Sequence, residues 1–207
     1  AQYIASLGSD TDTKLLERAL YSEKFWGAQV EIALAIGNVR TDTSLHILLR
    51  ALDKLKHPRV VRAVLDALGH YRGPKIAAVA KKYASLKNSY IIPAEAVRTL
   101  GRTRMESMLP AVMSGLKRKS WGDVIGSSAV LALAQLSNEK AFNALKKLTK
   151  YGYPARIREL AAKSLGSAGK GKPEVVDLLL GLTYDKYVMV QLNAVATLGE
   201  LGDERAI

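Results

Sequence analysis

The sequence predicts an all-α solenoid of stacked helix pairs, and three observations carry that prediction. An apolar residue followed by glycine recurs at a near-constant interval, the columns aligned on that mark stay apolar at helical spacing, and a second apolar-periodic segment lies between successive marks.

The stretch FWGAQVEIALAIG, Phe25 to Gly37, shows the pattern. The mark falls at Leu7-Gly8, Ile36-Gly37, Leu68-Gly69, Leu100-Gly101, Leu165-Gly166 and Leu198-Gly199, with Leu133-Ala134 as a degenerate member. The apolar positions 7, 36, 68, 100, 133, 165 and 198 differ by 29, 32, 32, 33, 32 and 33 residues.

Each segment ending at a mark is predicted to be an amphipathic helix of about three turns. Eight residues before the marks, from the second onward, stand Ala28, Val60, Ile92, Ile125, Ile157 and Val190. Four before stand Ile32, Val64, Ala96, Ala129, Ala161 and Ala194. Steps of four share one helical face with the mark itself, so these columns are the predicted core. The glycine after the mark is expected to supply a left-handed C-cap. Between marks, Leu45, Leu48, Leu49 and Leu52, and again Leu109, Val112, Met113 and Leu116, repeat the helical period. Two helices per repeat follow, and such pairs bury their apolar faces only by stacking on neighbours. About six repeats of 32 to 33 residues are expected in one domain spanning 1–207.

Composition agrees with many short helices. Hydrophobic residues make up 48% of the 207, enough for a sizeable core, while aromatics are 6% and glycine and proline fall at spaced points. The absence of cysteine excludes disulfides and thiolate metal sites. No window combines a basic start with the apolar run of a signal peptide or membrane span, so a soluble cytoplasmic protein without membrane contact is expected.

The period is shorter than the roughly 40 to 47 residues of typical HEAT and armadillo repeats and nearer the roughly 33 to 34 of ankyrin and tetratricopeptide repeats, but the motifs of the latter two are missing. HPRVVRAVLDALG, ending at Gly69, and PARIRELAAKSLG, Pro154 to Gly166, resemble the second helix of short HEAT repeats. The resemblance implies a right-handed superhelix of stacked antiparallel helix pairs. The arginine usual after the valine of that motif stands at Arg158, whereas Gln29, Val61, Pro93, Gly126 and Gln191 hold the column elsewhere. A continuous arginine ladder between repeats is therefore not expected.

Longer fragments sharpen the resemblance. KFWGAQVEIALAIG, NSYIIPAEAVRTLGRT (88–103), SWGDVIGSSAVLALAQL (120–136) and TKYGYPARIRELAAKSLG (149–166) follow one another in an order similar to the HEAT-repeat region C-terminal to the catalytic domain in prokaryotic zinc aminopeptidases of the aminopeptidase N family. This resemblance covers most of the chain. It implies a helical accessory domain packed beside or over a peptidase active site, with the catalytic domain or another protein as partner and no catalysis by this chain. LGELGDERAI at the end and AQYIASLG at the start look like cut repeats, which predicts a longer parent, itself a zinc metallo-aminopeptidase by the same resemblance.

Three chemical patterns in the sequence each have an ordinary structural reading beside the functional one. The zinc-peptidase pattern H-E-x-x-H is absent, since His46, His57 and His70 are never three or four apart. The first reads as a helix-face residue and the others as turn residues. GSAGKGKP, 166–173, has Gly166, Gly171 and Lys172 at phosphate-loop spacing, but Pro173 replaces the Ser or Thr that would hold magnesium and no strand precedes it. It reads as a turn between repeats, and no cofactor is expected. Trp121 and Asp123 are similar to residue types that HEAT-like DNA glycosylases use along a concave face for a cationic damaged base. The structural alternative has Trp121 packing at a helix start and Asp123 capping or charging its first turn.

Charge is the last informative feature. Residues 70–158 hold 17 Lys and Arg against 4 acids, whereas 1–69 hold 9 against 8 and 159–207 hold 5 against 7. Lys81, Lys82 and Lys87, then Lys117, Arg118 and Lys119, then Lys146, Lys147 and Lys150, recur at about one repeat. Stacking would align them toward an anionic partner, with Tyr90, Trp121 and Tyr151 as candidate aromatic contacts. A folded protein is the expected partner. The alternative is a nucleic-acid-binding HEAT module, with a DNA glycosylase as its enzymatic form. A lysine-rich solvated surface explains the same charges without any partner.

Overall fold

A computed structural model describes residues 10–206, and regular structure among them is entirely helical. The twelve α-helices among the described residues are α1 (Asp10–Ser22), α2 (Trp26–Val39), α3 (Asp42–Lys54), α4 (Pro58–Leu68), α5 (Pro74–Ala84), α6 (Ile91–Arg102), α7 (Leu109–Leu116), α8 (Val124–Leu136), α9 (Glu139–Leu148), α10 (Ala155–Ala168), α11 (Pro173–Leu182) and α12 (Val188–Leu201). Short 3-10 turns occupy Glu106–Met108, Trp121–Asp123 and Glu204–Ala206. No described helix is long and apolar enough to cross a membrane. The mark at Leu7-Gly8 lies outside the described residues.

Odd-numbered helices are first helices and even-numbered ones second helices. Their starts are written locally. Proline in the first turn opens α4, α5, α7 and α11, where its missing N–H costs nothing. Thr41 and Ser44 form a reciprocal capping box on α3, and the Asn138 side chain accepts from Ala141 N at 2.8 Å to cap α9.

The chain forms two compact units, Ala1–Thr103 and Arg104–Ile207. In the first, α1–α2, α3–α4 and α5–α6 pair, and the second helices α2, α4 and α6 pack on one another in sequence. In the second, α7–α8, α9–α10 and α11–α12 pair, and α8, α10 and α12 form the corresponding row. The predicted columns are the core of these rows. Ile36, Leu68, Leu100, Leu133, Leu165 and Leu198 are all buried, as are Val60, Ile92, Ile125, Ile157 and Val190; Ala28 alone of its column is half-buried.

The glycines of the mark do not act as expected. Gly37, Gly101, Gly166 and Gly199 lie inside helices, and Gly69 ends α4 with φ −64°. The chain turns left-handed several residues later, at Arg40, Arg104, Ser137 and Gly202. At Gly37 and Gly166 the fold requires the missing side chain. A Cβ on Gly37 would stand 2.6 Å from Ala67 Cβ, and one on Gly166 would stand 2.5 Å from Thr197 Cγ2. Glycine there lets consecutive second helices approach closely, whereas first helices of successive repeats stay further apart.

Polar ties between repeats follow two patterns. On the first helices, an acid of one repeat pairs with a base of the next: Glu17 with Arg50 at 2.8 Å, Glu106 with Lys140 at 2.8 Å, Glu139 with Lys172 at 2.7 Å, and Asp177 with Arg205 at 2.9 Å. These are surface pairs, screened by solvent, that contribute little to stability. Among the described residues one rung is fully buried. Arg158, 3% exposed, donates to Asp185 at 2.7 Å and to the Tyr153 carbonyl at 3.0 Å, and its guanidinium lies 4.7 Å over the Tyr151 ring and 5.1 Å over the Tyr187 ring.

Candidate functional site

Close approach of second helices and separation of first helices leaves grooves between first helices. In the first unit a groove of about 550 Å³ lies between α3 and α5, with Leu49, Leu52 and Val79 on its floor and Arg50, Asp53, Lys75 and Lys82 around it. Its charges are largely committed locally. Arg50 is paired with Glu17, and the Tyr83 hydroxyl donates to the Leu52 carbonyl at 3.2 Å. Burial, reinforced by the negative charge of Asp53, raises the Tyr83 phenol above its usual range, so it stays protonated and available as a donor.

In the second unit a groove of about 460 Å³ lies between α7 and α9. Leu109, Met113 and Leu116 form one stripe of α7, and Ala144 and Leu148 face it from α9. Lys117, Lys140 and Lys147 stand on the rim, and Tyr153 closes one end. Lys140 is engaged with Glu106, whose carboxylate raises the Lys140 pKa through a hydrogen bond. No ion pair among the described residues engages Lys117 or Lys147.

The predicted contact residues separate in this geometry. Lys117 and Lys147 share the α7–α9 groove, and Lys82 lines the α3–α5 groove. Lys81 is exposed in the last turn of α5, and Lys87 in the turn beyond it. Arg118 and Lys119 continue the turn after α7, and Lys150 the turn after α9. Lys146 faces elsewhere: it pairs with Glu174 at 2.9 Å and lies 4.8 Å over the Phe142 ring.

Among the aromatics, Tyr90 is exposed just before α6. Tyr151 is held in place, with its ring on Arg158 and its hydroxyl accepting from Lys186 N at 3.0 Å. Trp121 is 79% exposed, so it does not pack at the helix start. Nor does Asp123 cap α8. Gly122 and Asp123 are both left-handed, and the Ser120 hydroxyl accepts from Ile125 N at 3.1 Å in its place.

The three histidines sit as read. His46 is on α3, bonded to its own helix through the Asp42 carbonyl; His57 precedes α4 and stacks on Trp26; His70 follows α4 and reaches the Gly37 carbonyl at 3.1 Å. No cluster of three or more potential metal ligands forms among the described residues. Lys172 of the glycine-rich turn pairs with Glu139 and lies 3.9 Å over the Phe142 ring.

One cluster has no counterpart in the sequence reading. Glu95, 3% exposed on α6, is approached by Arg62 at 3.6 Å, Arg98 at 3.8 Å and Arg102 at 3.6 Å, while Arg102 also bonds Asp66 at 2.5 Å. Glu95 Oε1 has no hydrogen-bond partner. The only signal in the sequence was a carboxylate one position before Ala96 in the core column.

A repeat of paired helices, with the buried marks from Ile36 to Leu198 at intervals of 32 to 33 residues and grooves between first helices, defines an α-helical repeat protein. Residues 83–166 match the family model for HEAT repeats. No curated protein matches the sequence. Among solved structures the chain is similar to human deoxyhypusine hydroxylase in complex with glycerol, at 16% identity and a TM-score of 0.44, over 97% of this chain and 88% of that one.

Proposed function

We propose that this chain is a protein-binding module without catalysis of its own, serving as the helical accessory region of a zinc aminopeptidase of the aminopeptidase N class. The observation that carries the binding reading is the α7–α9 groove, a half-buried apolar stripe of Leu109, Met113 and Leu116 rimmed by lysines. Apolar surface in a concave setting with a polar rim is how interaction sites differ from ordinary solvated faces. The parentage rests on the order of the sequence fragments between Lys24 and Gly166. The test mixes this chain with a separately produced catalytic domain of the parent enzyme. Association at physiological salt, together with altered peptide selectivity, is the expected result. Stoichiometric zinc in this chain alone, with peptide turnover abolished by chelation, would overturn it.

The basic excess in 70–158 favours one second reading, a nucleic-acid-binding module. Its enzymatic form requires a base pocket around Trp121 and Asp123, and these residues line neither groove.

A further inference from the structure

We propose that the α7–α9 groove receives an amphipathic helical segment of a partner protein, carrying leucine-like residues on one face and carboxylates at one end. The proposal rests on the protein-binding reading above and assigns its site and the chemistry of its ligand.

The floor is shaped for a helix. Leu109, Met113 and Leu116 recur at steps of four and three along α7, and Ala144 and Leu148 recur at a step of four along α9. Rows at those spacings form the ridges between which the side chains of an incoming helix pack. The small Ala144 keeps the floor open, and Met113 adapts its unbranched side chain to varied apolar shapes. The eight residues of α7 and ten of α9 make the groove about 12–15 Å long, which admits anchors at i, i+3 or i+4, and i+7.

The rim gives the ligand a direction. Glu106, just before α7, bonds Lys140, in the first turn of α9, so the two helices begin side by side and their C-terminal ends meet at the other end. At the beginning the lysine charge is neutralised. At the far end Lys117 follows α7 and Lys147 lies in the last turn of α9, with Tyr153 beside them. Two unpaired ammonium groups and a phenol donor match carboxylates. Lysines at helix C-termini complement the helix dipoles. That role leaves the half-buried apolar groove between them unaccounted for, whereas an amphipathic acidic ligand uses both. The α3–α5 groove fits such a ligand less well, because Asp53 lies among its lining groups and Arg50 is already paired with Glu17.

The probe is a synthetic, fluorescently labelled helical peptide of about fifteen residues, with leucines at i, i+4 and i+7 and glutamates at one end. Two matched peptides replace the glutamates by lysine or the leucines by serine. Fluorescence anisotropy with the intact chain should give a dissociation constant of micromolar order for the first, and values about tenfold or more weaker for the other two. Lys117→Glu combined with Lys147→Glu should weaken the glutamate peptide by about tenfold or more and strengthen the lysine peptide, reversing the preference. Met113→Gln should weaken both, with the circular dichroism melt confirming the fold. Lys82→Glu, in the other groove, should change nothing. Equal binding of the serine peptide, or glutamate-peptide affinity indifferent to the charge reversal, would overturn the proposal. So would absence of binding. If the catalytic domain still associates and the groove variants leave that association intact, the protein-binding reading survives and this site assignment fails. If neither peptide nor domain binds, both fall.

Discussion

Glu95 sits in the row of second helices with three arginines around it, yet none of them hydrogen-bonds its Oε1. Burial, helped by the nearby Asp66 charge, raises its pKa above the usual 4.5, and Arg102, Arg98 and Arg62 oppose that shift without cancelling it. The folded chain therefore holds this proton to higher pH than the unfolded chain does. Between the two pKa values the native state binds more protons, so this group's contribution to stability rises as pH falls from neutral toward 4.5 and is lost as pH rises through the folded value. Glu95→Gln removes the desolvated charge. Relative to the parent chain, its melting temperature should be highest at neutral to alkaline pH, with the advantage shrinking as pH falls toward the ordinary Glu range. An advantage that grows on acidification would refute the assignment. The Arg158–Asp185 rung differs in being a buried pair joined directly by a 2.7 Å hydrogen bond, with the Tyr151 and Tyr187 rings 4.7 and 5.1 Å from the guanidinium. Asp185→Ala would leave the Arg158 guanidinium buried without its carboxylate and the Tyr187 N–H without its acceptor. A loss of about 3–5 kcal/mol in denaturant unfolding is expected.

At the scale of helices, the glycine after each mark makes a matched experiment. Gly37 and Gly199 occupy the same column inside α2 and α12, so alanine gains the same helix propensity at both, about 1 kcal/mol in a helix interior. Their surroundings differ. An added Cβ at Gly37 would meet Ala67 Cβ at 2.6 Å and Ala67 Cα at 2.9 Å, while at Gly199 it meets nothing within 4 Å. Gly37→Ala should destabilise by about 1–3 kcal/mol net, because α4 must shift. Gly199→Ala should stabilise by about 0.5–1 kcal/mol. Ile125→Asp, in the buried column of α8, would place a carboxylate among apolar neighbours and cost several kcal/mol, read as a large drop in melting temperature. These elements also show where sequence reading succeeds and stops. Period and column were legible because burial repeats with the helix, and the columns of Val60, Ile125 and Val190 are buried as the spacing required. The role of the glycines was not, because one letter serves both a left-handed φ and a missing side chain, and only the distance to the next helix tells them apart. Lys146 and Lys147 make the same point for the site. Adjacent in sequence, they diverge around the helix, one to Glu174 and the other to the groove.

For the molecule as a whole, a formal net charge of +12 guarantees some attraction to polyanions, and the question is what kind. Ordered nucleic-acid recognition by an aromatic platform needs rings free to stack on bases. Tyr151 is occupied by Arg158 and Lys186, whereas Trp121 and Tyr90 stand exposed in different units. Among the central lysines Lys140 and Lys146 are already paired with Glu106 and Glu174, while Lys87, Lys117, Lys119 and Lys150 project from turns. Such charges contact phosphates without reading bases. Duplex and single-stranded DNA should therefore bind without sequence preference, with dissociation constants of roughly micromolar or weaker near physiological salt, and log affinity should fall linearly with log salt. Lys117→Glu, Arg118→Glu and Lys119→Glu together should weaken this binding and flatten its salt slope while leaving the circular dichroism melt intact, since the three follow α7 in a turn. A docked protein would respond differently to salt, because burial of Met113 and its neighbours persists when charges are screened. Titrating salt against DNA and against the catalytic domain in parallel separates the readings. Sub-micromolar, sequence-selective or lesion-selective DNA binding that the triple variant abolishes would move the nucleic-acid reading ahead of the protein-binding one.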